Sequence, residues 1–125
     1  MLELSGVDPE RMILSYGGDT LNTAVYLARS GNQVEYLTAL GDDPYSDRMI
    51  EAWRGEGVGT AHVVRAPGRL PGLYAIRTDE HGERQFHYWR DMAPARDLPK
   101  LPEWREAASY LRTCELIYFL SLIHI

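Results

Sequence analysis

Cysteine is nearly missing from this chain: Cys114 is the single one among 125 residues. No internal disulfide can form, which excludes a disulfide-stapled secreted scaffold and points by default to a reducing cytoplasm. Cys114 sits just ahead of an apolar run and is expected to be a small buried hydrophobe, not a nucleophile. No apolar run is long enough to cross a bilayer, so no membrane partner is expected. The first residues lack the basic-then-apolar order of a secretory leader. There is no basic stripe either. Thirteen Lys and Arg residues are scattered among eighteen Asp and Glu, for a formal net charge of -5, which argues against nucleic acid as a partner. His81 is expected exposed in a turn, His62, His87 and His124 show no metal-ligand spacing, and no metal is expected at the site. Internal repeats and low-complexity segments are absent. What is left is ordinary globular composition, 45% hydrophobic and 25% charged, in a length that suffices for one small domain with a real core.

The most informative stretch is Gly17-Gly18-Asp19-Thr20-Leu21-Asn22. It follows an apolar run, Arg11 to Tyr16, and opens a helix-period pattern with Leu21, Ala24, Val25 and Ala28 on one face. Free N–H groups at such a helix mouth favour polyhydroxylated or anionic ligands, and glycine lets a ligand approach the backbone. Asp19 and Asn22 lie in the first turn, within reach of a bound hydroxyl. The plainer reading is a strand–turn–helix connection capped by Asp19 or Thr20.

Met1 to Leu4 reads as the tail of a strand. Gly31-Asn32 stops the first helix, and Gln33 to Leu40 reads as one strand after it. Strand–helix–strand order implies a parallel crossover and an α/β sheet. Gly41-Asp42-Asp43-Pro44 starts a second helix, with Asp43 as cap and Pro44 in the first position. Met49, Ile50 and Trp53 form its buried stripe, and Gly55 and Gly57 end it. Three strands are then expected in an antiparallel meander: Val63-Val64, Leu73 to Arg77 and Arg84 to Arg90. They are separated by turn chemistry at Pro67-Gly68 and at Asp79 to Gly82. Such a sheet either covers a site as a lid or extends the main sheet or an oligomer contact. Pro94 to Pro102 is a connector, Glu103 to Arg112 a helix, and Leu116 to Leu120 a further core strand.

Several strings resemble the ribokinase-like carbohydrate kinases. Gly17 to Arg29 resembles their first substrate-binding segment, and Thr38-Ala39-Leu40-Gly41-Asp42-Asp43 their next block. Arg69-Leu70-Pro71-Gly72-Leu73-Tyr74 and Gly82 to Arg90, with its Tyr88-Trp89-Arg90, are narrower. They resemble the branch of the family that phosphorylates 2-keto-3-deoxygluconate with ATP. The resemblance implies a ribokinase-like parallel sheet with flanking helices, incomplete here, plus a small antiparallel β lid. Residues 1–60 and 93–125 would be the N-terminal part of the α/β kinase domain, and 61–92 the lid. Gly18, Asp19, Thr20, Leu21 and Asn22 would line the sugar site, and Tyr74, Tyr88, Trp89 and Arg90 would close it from the lid. Strand alternation puts Tyr88 and Arg90 on one face and Trp89, assigned to packing, on the other. An arginine fork suits a planar carboxylate, so Arg90 fits an acid-bearing sugar. Read singly, Arg90 pairs with Asp91 or Glu83 on a solvated strand, and Tyr74 and Tyr88 are packing or a dimer contact.

The family's late Gly-Ala-Gly-Asp segment, whose amides form an anion hole and whose Asp takes the substrate proton, does not occur in this chain. No catalytic residue is therefore assigned. ATP and Mg belong to the intact enzyme, as does a homodimer through the lid. The chain is expected to be an N-terminal fragment from an incomplete reading frame, with an unrelated tail after Phe119, inactive and poorly soluble on its own. The alternatives are a fragment of another sugar or nucleoside kinase, or a non-catalytic sugar-binding or interaction module.

Overall fold

The computed structural model describes residues 1–8 and 10–120. The expected unrelated tail, 121–125, lies outside the described residues. The fold is α/β, as expected, in three small sheets. Strands β1 (Leu2–Asp8), β2 (Arg11–Tyr16), β7 (Leu73–Thr78) and β8 (Arg84–Trp89) form one sheet in the order β2-β1-β7-β8. Strands β3 (Val34–Glu35) and β5 (Val58–Gly59) pair in parallel, as do β4 (Thr38–Gly41) and β6 (Val63–Ala66). Helices α1 (Asp19–Arg29) and α2 (Pro44–Gly55) pack over them. A 3-10 helix at Pro94–Lys100 leads into α3 (Trp104–Tyr110), which ends in a 3-10 turn at Leu111–Thr113.

The two long helices form for local reasons. In α2, Asp43 accepts hydrogen bonds from the N–H groups of Tyr45 and Ser46, and Pro44 occupies the first turn, so donors left open by helix geometry are satisfied by one carboxylate. Leu21 and Ala24 of α1 meet Met49, Ile50 and Trp53 of α2, with Leu40 and Val58 from the strands. Each large side chain buried there contributes about 1.5–3 kcal/mol. Leu2 and Tyr16 of the four-stranded sheet pack against the same cluster and fasten that sheet to the helices.

Five expectations change. Met1 to Leu4 is not a stub: β1 is a full strand, because β2 pairs with it antiparallel on one side and β7 in parallel on the other. The three-strand meander does not form. Val63–Ala66 pairs in parallel with β4, and β7–β8 is a hairpin that joins β1 instead. Gln33 to Leu40 divides into β3 and β4, which lie in separate sheets. The parallel crossover accordingly runs through α2, linking β3 to β5 and β4 to β6, and not through α1. Leu116 to Leu120 makes no strand. Among the described residues no neighbour offers it a ladder, and its side chains are exposed, Leu116 at 80% and Phe119 at 78%. Cys114 is half-buried, its thiol against the carbonyl of Tyr110.

Candidate functional site

The mouth of α1 is open in the way its two glycines suggest. Gly18 holds the cap position at φ 142°, a conformation L side chains rarely adopt, and among the described residues no side chain accepts from the first-turn N–H groups. Asp19 and Thr20 are therefore not caps. Asp19 and Asn22 are exposed beside the mouth. Thr20 turns inward and shares a 2.8 Å hydrogen bond with the phenol of Tyr36. Burial raises the Tyr36 pKa, and the Thr20 bond offsets part of that rise. Leu21 is 2% exposed and belongs to the core; only its backbone faces the mouth.

Tyr74 of the β7–β8 hairpin comes beside Gly17 from far along the chain, with the aromatics around it. Glu3 of β1 stands in register with Ser15 of β2 and with Tyr74 of β7, and Tyr74 in register with Tyr88 of β8. Residues in register share a sheet face. The rings of Tyr74 and Tyr88 lie 5.9 Å apart, with Phe86 6.2 Å from Tyr74. The Arg90 guanidinium lies 4.4 Å from the centre of the Tyr88 ring, a cation–π contact. Arg90 makes no ion pair among the described residues, and Asp91 is taken by Arg96 at 2.6 Å. The pairing of Arg90 with Asp91 or Glu83 is not formed. Trp89 pairs with Leu73 on the opposite face and is 60% exposed.

Tyr74 joins the two halves. It is 8% exposed, and its hydroxyl donates to the Glu3 carboxylate. Burial first, then the Glu3 bond and the charges of Glu3, Tyr88 and Asp19, push its phenol above the ordinary range. A Cβ at Gly17 would run into this hydroxyl and come within 3.1 Å of Glu3 Oε2. Gly17, Tyr74, Tyr88 and Arg90 are thus linked by successive contacts. Glu3 is the residue that sequence reasoning missed. The signal was the alternation of Leu2 and Leu4 around it, which places Glu3 on the face away from the core.

The Gly41-Asp42-Asp43 block contacts the segment that leads into the β7–β8 hairpin. Asp42 accepts from the N–H of Gly68 at 2.9 Å, and the Arg65 Nε donates to the Gly41 carbonyl at 2.6 Å. A Cβ at Gly41 would strike the Arg69 carbonyl. Arg69 in turn donates to the Met92 carbonyl and to Asp97, clasping both ends of the β7–β8 hairpin. The pKa of Asp43 reflects burial, which raises it, outweighed by the Ser46 hydroxyl and the capped N–H groups, which hold it below the ordinary carboxylate value.

The helix mouth presents acceptors (Asp19, Asn22) and first-turn N–H donors, and the end of β8 presents one guanidinium without a carboxylate partner among the described residues. That suits a ligand with hydroxyls at one end and a carboxylate at the other. Among the described residues no three His, Cys, Asp or Glu side chains are placed to hold a metal, and no helix is long and apolar enough to cross a membrane. A separate shallow concavity of about 440 Å³, lined by Glu35, Arg54 and 57–61, contains none of these residues.

The family model described as pfkB family carbohydrate kinase matches residues 3–124, past the Phe119 at which the sequence pattern was expected to stop. The 2-dehydro-3-deoxygluconokinase of Escherichia coli K12 is 46% identical over 92% of this chain and 36% of its own length. A crystal structure of the 2-dehydro-3-deoxygluconokinase of Thermotoga maritima superposes with a TM-score of 0.68 at 27% identity, over 76% of this chain and 31% of that one. The fructokinase of Xylella fastidiosa with bound ATP gives a TM-score of 0.69 at 28% identity, over 76% and 29%. The chain spans little more than a third of the length of the curated relatives it matches.

Proposed function

This chain belongs to the pfkB family of carbohydrate kinases, and from that premise we propose that it carries the sugar-binding and lid portion of a kinase for 2-keto-3-deoxygluconate (2-dehydro-3-deoxygluconate). The intact enzyme would transfer the γ-phosphoryl group of ATP to this cytoplasmic substrate and release its 6-phospho product. The single observation that carries the reading is the contact series from Gly17 through Tyr74 and Tyr88 to an Arg90 without a carboxylate partner. A neutral sugar leaves that guanidinium without a purpose, whereas a sugar carboxylate meets it in a charge-assisted bond. Asp19 and Asn22 would take the sugar hydroxyls at the helix mouth, with Gly18, Thr20 and Leu21 contributing backbone. Trp89, on the far face, would support the lid. A lid that exposes Tyr88 and Trp89 this fully also fits a homodimer of the intact enzyme.

ATP with Mg would supply the phosphoryl donor and its charge neutralisation. The described residues do not fit that pair. The α1 mouth lies against the Glu3 and Asp19 carboxylates, which repel a triphosphate. No phosphoryl-transfer step is therefore assigned to residues of this chain. The 125 residues alone are expected to bind the sugar acid without phosphorylating it in the presence of ATP.

The test is ligand-induced stabilisation of this chain by 2-keto-3-deoxygluconate and, separately, by fructose. The sugar acid at a hundred times its Kd adds about 2.7 kcal/mol to stability, and fructose adds nothing at the same concentration. Equal stabilisation by both sugars would assign the site to a neutral-sugar kinase. Stabilisation by neither would leave a non-catalytic module as the better description.

A further inference from the structure

We propose that Glu3 is a positioning residue that fixes the hydrogen-bond polarity of Tyr74, making its oxygen an acceptor that selects a substrate hydroxyl. The inference rests on the sugar-acid reading above and assigns one role within it.

A phenol has one donor and two acceptor positions. With Tyr74 donating to Glu3, the proton is committed. The carboxylate is itself fixed, since Ser15 donates to its other oxygen at 3.5 Å and both neighbours lie in register across the strands. Nor can the ring swing away: Phe86 and Tyr88 flank it, and Gly17 lies beside the hydroxyl with no room for even a methyl group between them. The remaining lone pairs of the Tyr74 oxygen can only accept. A sugar hydroxyl supplies a donor, while a keto oxygen or a carboxylate does not. The acid end of the substrate is thereby turned toward Arg90 and away from Tyr74. The carboxylates of Glu3 and Asp19 act in the same sense by repelling an anion from this end.

The experiment uses the full chain and the variants Glu3→Gln, Tyr74→Phe and their combination, each checked for native circular dichroism. Binding of 2-keto-3-deoxygluconate is measured by calorimetry, and phenol ionisation by absorbance on raising the pH. Gln can donate to the Tyr74 oxygen and compete for its lone pairs, so each single variant is expected to bind about tenfold more weakly, and the double variant about tenfold, not a hundredfold. The Tyr74 phenol, held above the ordinary range by burial and by Glu3, is expected to drop out of the titration in Tyr74→Phe and to ionise earlier in Glu3→Gln. Multiplying losses, or a Tyr74 phenol that ignores Glu3→Gln, would overturn the role of Glu3 while leaving the sugar-acid reading intact. If the unchanged chain binds no sugar acid, both fall together.

Discussion

Replacing Gly17 with alanine isolates one steric contact. Gly17 is buried and its φ is not positive, so an alanine backbone is tolerated there. Only space is at issue. The added methyl would occupy the position of the Tyr74 hydroxyl and press on Glu3 Oε2 at 3.1 Å. Tyr74 must shift and its bond to the carboxylate breaks. Hydrogen bonds to charged groups contribute about 1.5–3 kcal/mol, so Gly17→Ala is expected to cost about 2 kcal/mol. For a chain of this size that is a fall in Tm of about 6–12 °C. Tyr74→Phe loses the same bond and is expected to cost a similar amount. The combination is the decisive measurement. With the hydroxyl gone, the methyl has room, so the double variant should cost about 2 kcal/mol, not the roughly 4 kcal/mol of independent effects. Urea or thermal melts of the four proteins give the cycle. Additive losses, or a neutral Gly17→Ala, would refute the placement of Tyr74 beneath the glycine pair.

Three further outcomes are expected. Arg90→Gln should weaken 2-keto-3-deoxygluconate binding by at least tenfold, because a charge-assisted contact is worth about 1.5–3 kcal/mol, while lowering stability by only about 0.5–1 kcal/mol, since the half-buried side chain has no carboxylate partner among the described residues and gives up its cation–π contact with Tyr88; isothermal titration and a melt check both. Asp43→Ala should cost about 1 kcal/mol as a lost helix cap. The folded-state pKa of Asp43 is depressed, so its stabilisation is present above the unfolded-state value and is lost as pH falls through the lower folded value. The gap between wild type and variant should therefore close in acid melts below about pH 4. Gly55→Ala should raise stability by about 0.5–1 kcal/mol, since Gly55 is helical with open space at its Cβ and no positive φ; a denaturant melt reads it.

The parts of the fold legible in the sequence are those set by neighbours along the chain. The stop of α1 at Gly31-Asn32 is closed by the Asn32 amide on the Leu27 carbonyl, five residues away. Asp43 and Pro44 start α2 by contacts within three residues. The Met49, Ile50 and Trp53 stripe follows from helical spacing. Pairing between distant strands was not legible in this way. Nothing local to Leu2–Asp8 says that it lies beside Leu73–Thr78, and nothing local to Val63 says that it prefers β4 to β7. The apolar string Leu116 to Leu120 has strand composition, but composition alone cannot supply a ladder. The site divides along the same line. The glycine-opened helix mouth and the tyrosines of the β7–β8 hairpin were recognisable as strings. Glu3 was not, because its partner Tyr74 is 71 residues away; the alternation with Leu2 and Leu4 tells which face it takes, not what it meets there.

The four-stranded sheet is built from two hairpins, one near the start of the chain and one beyond its midpoint, joined side by side through β1 and β7. This has a practical consequence for engineering. Grafting specificity between relatives by exchanging residues 73–89 alone would set a foreign hairpin against a native edge, with mismatched register and a mismatched partner for Tyr74. A working chimera has to carry residues 2–16 along with 73–89, as one inherited unit split by the helices that separate its halves.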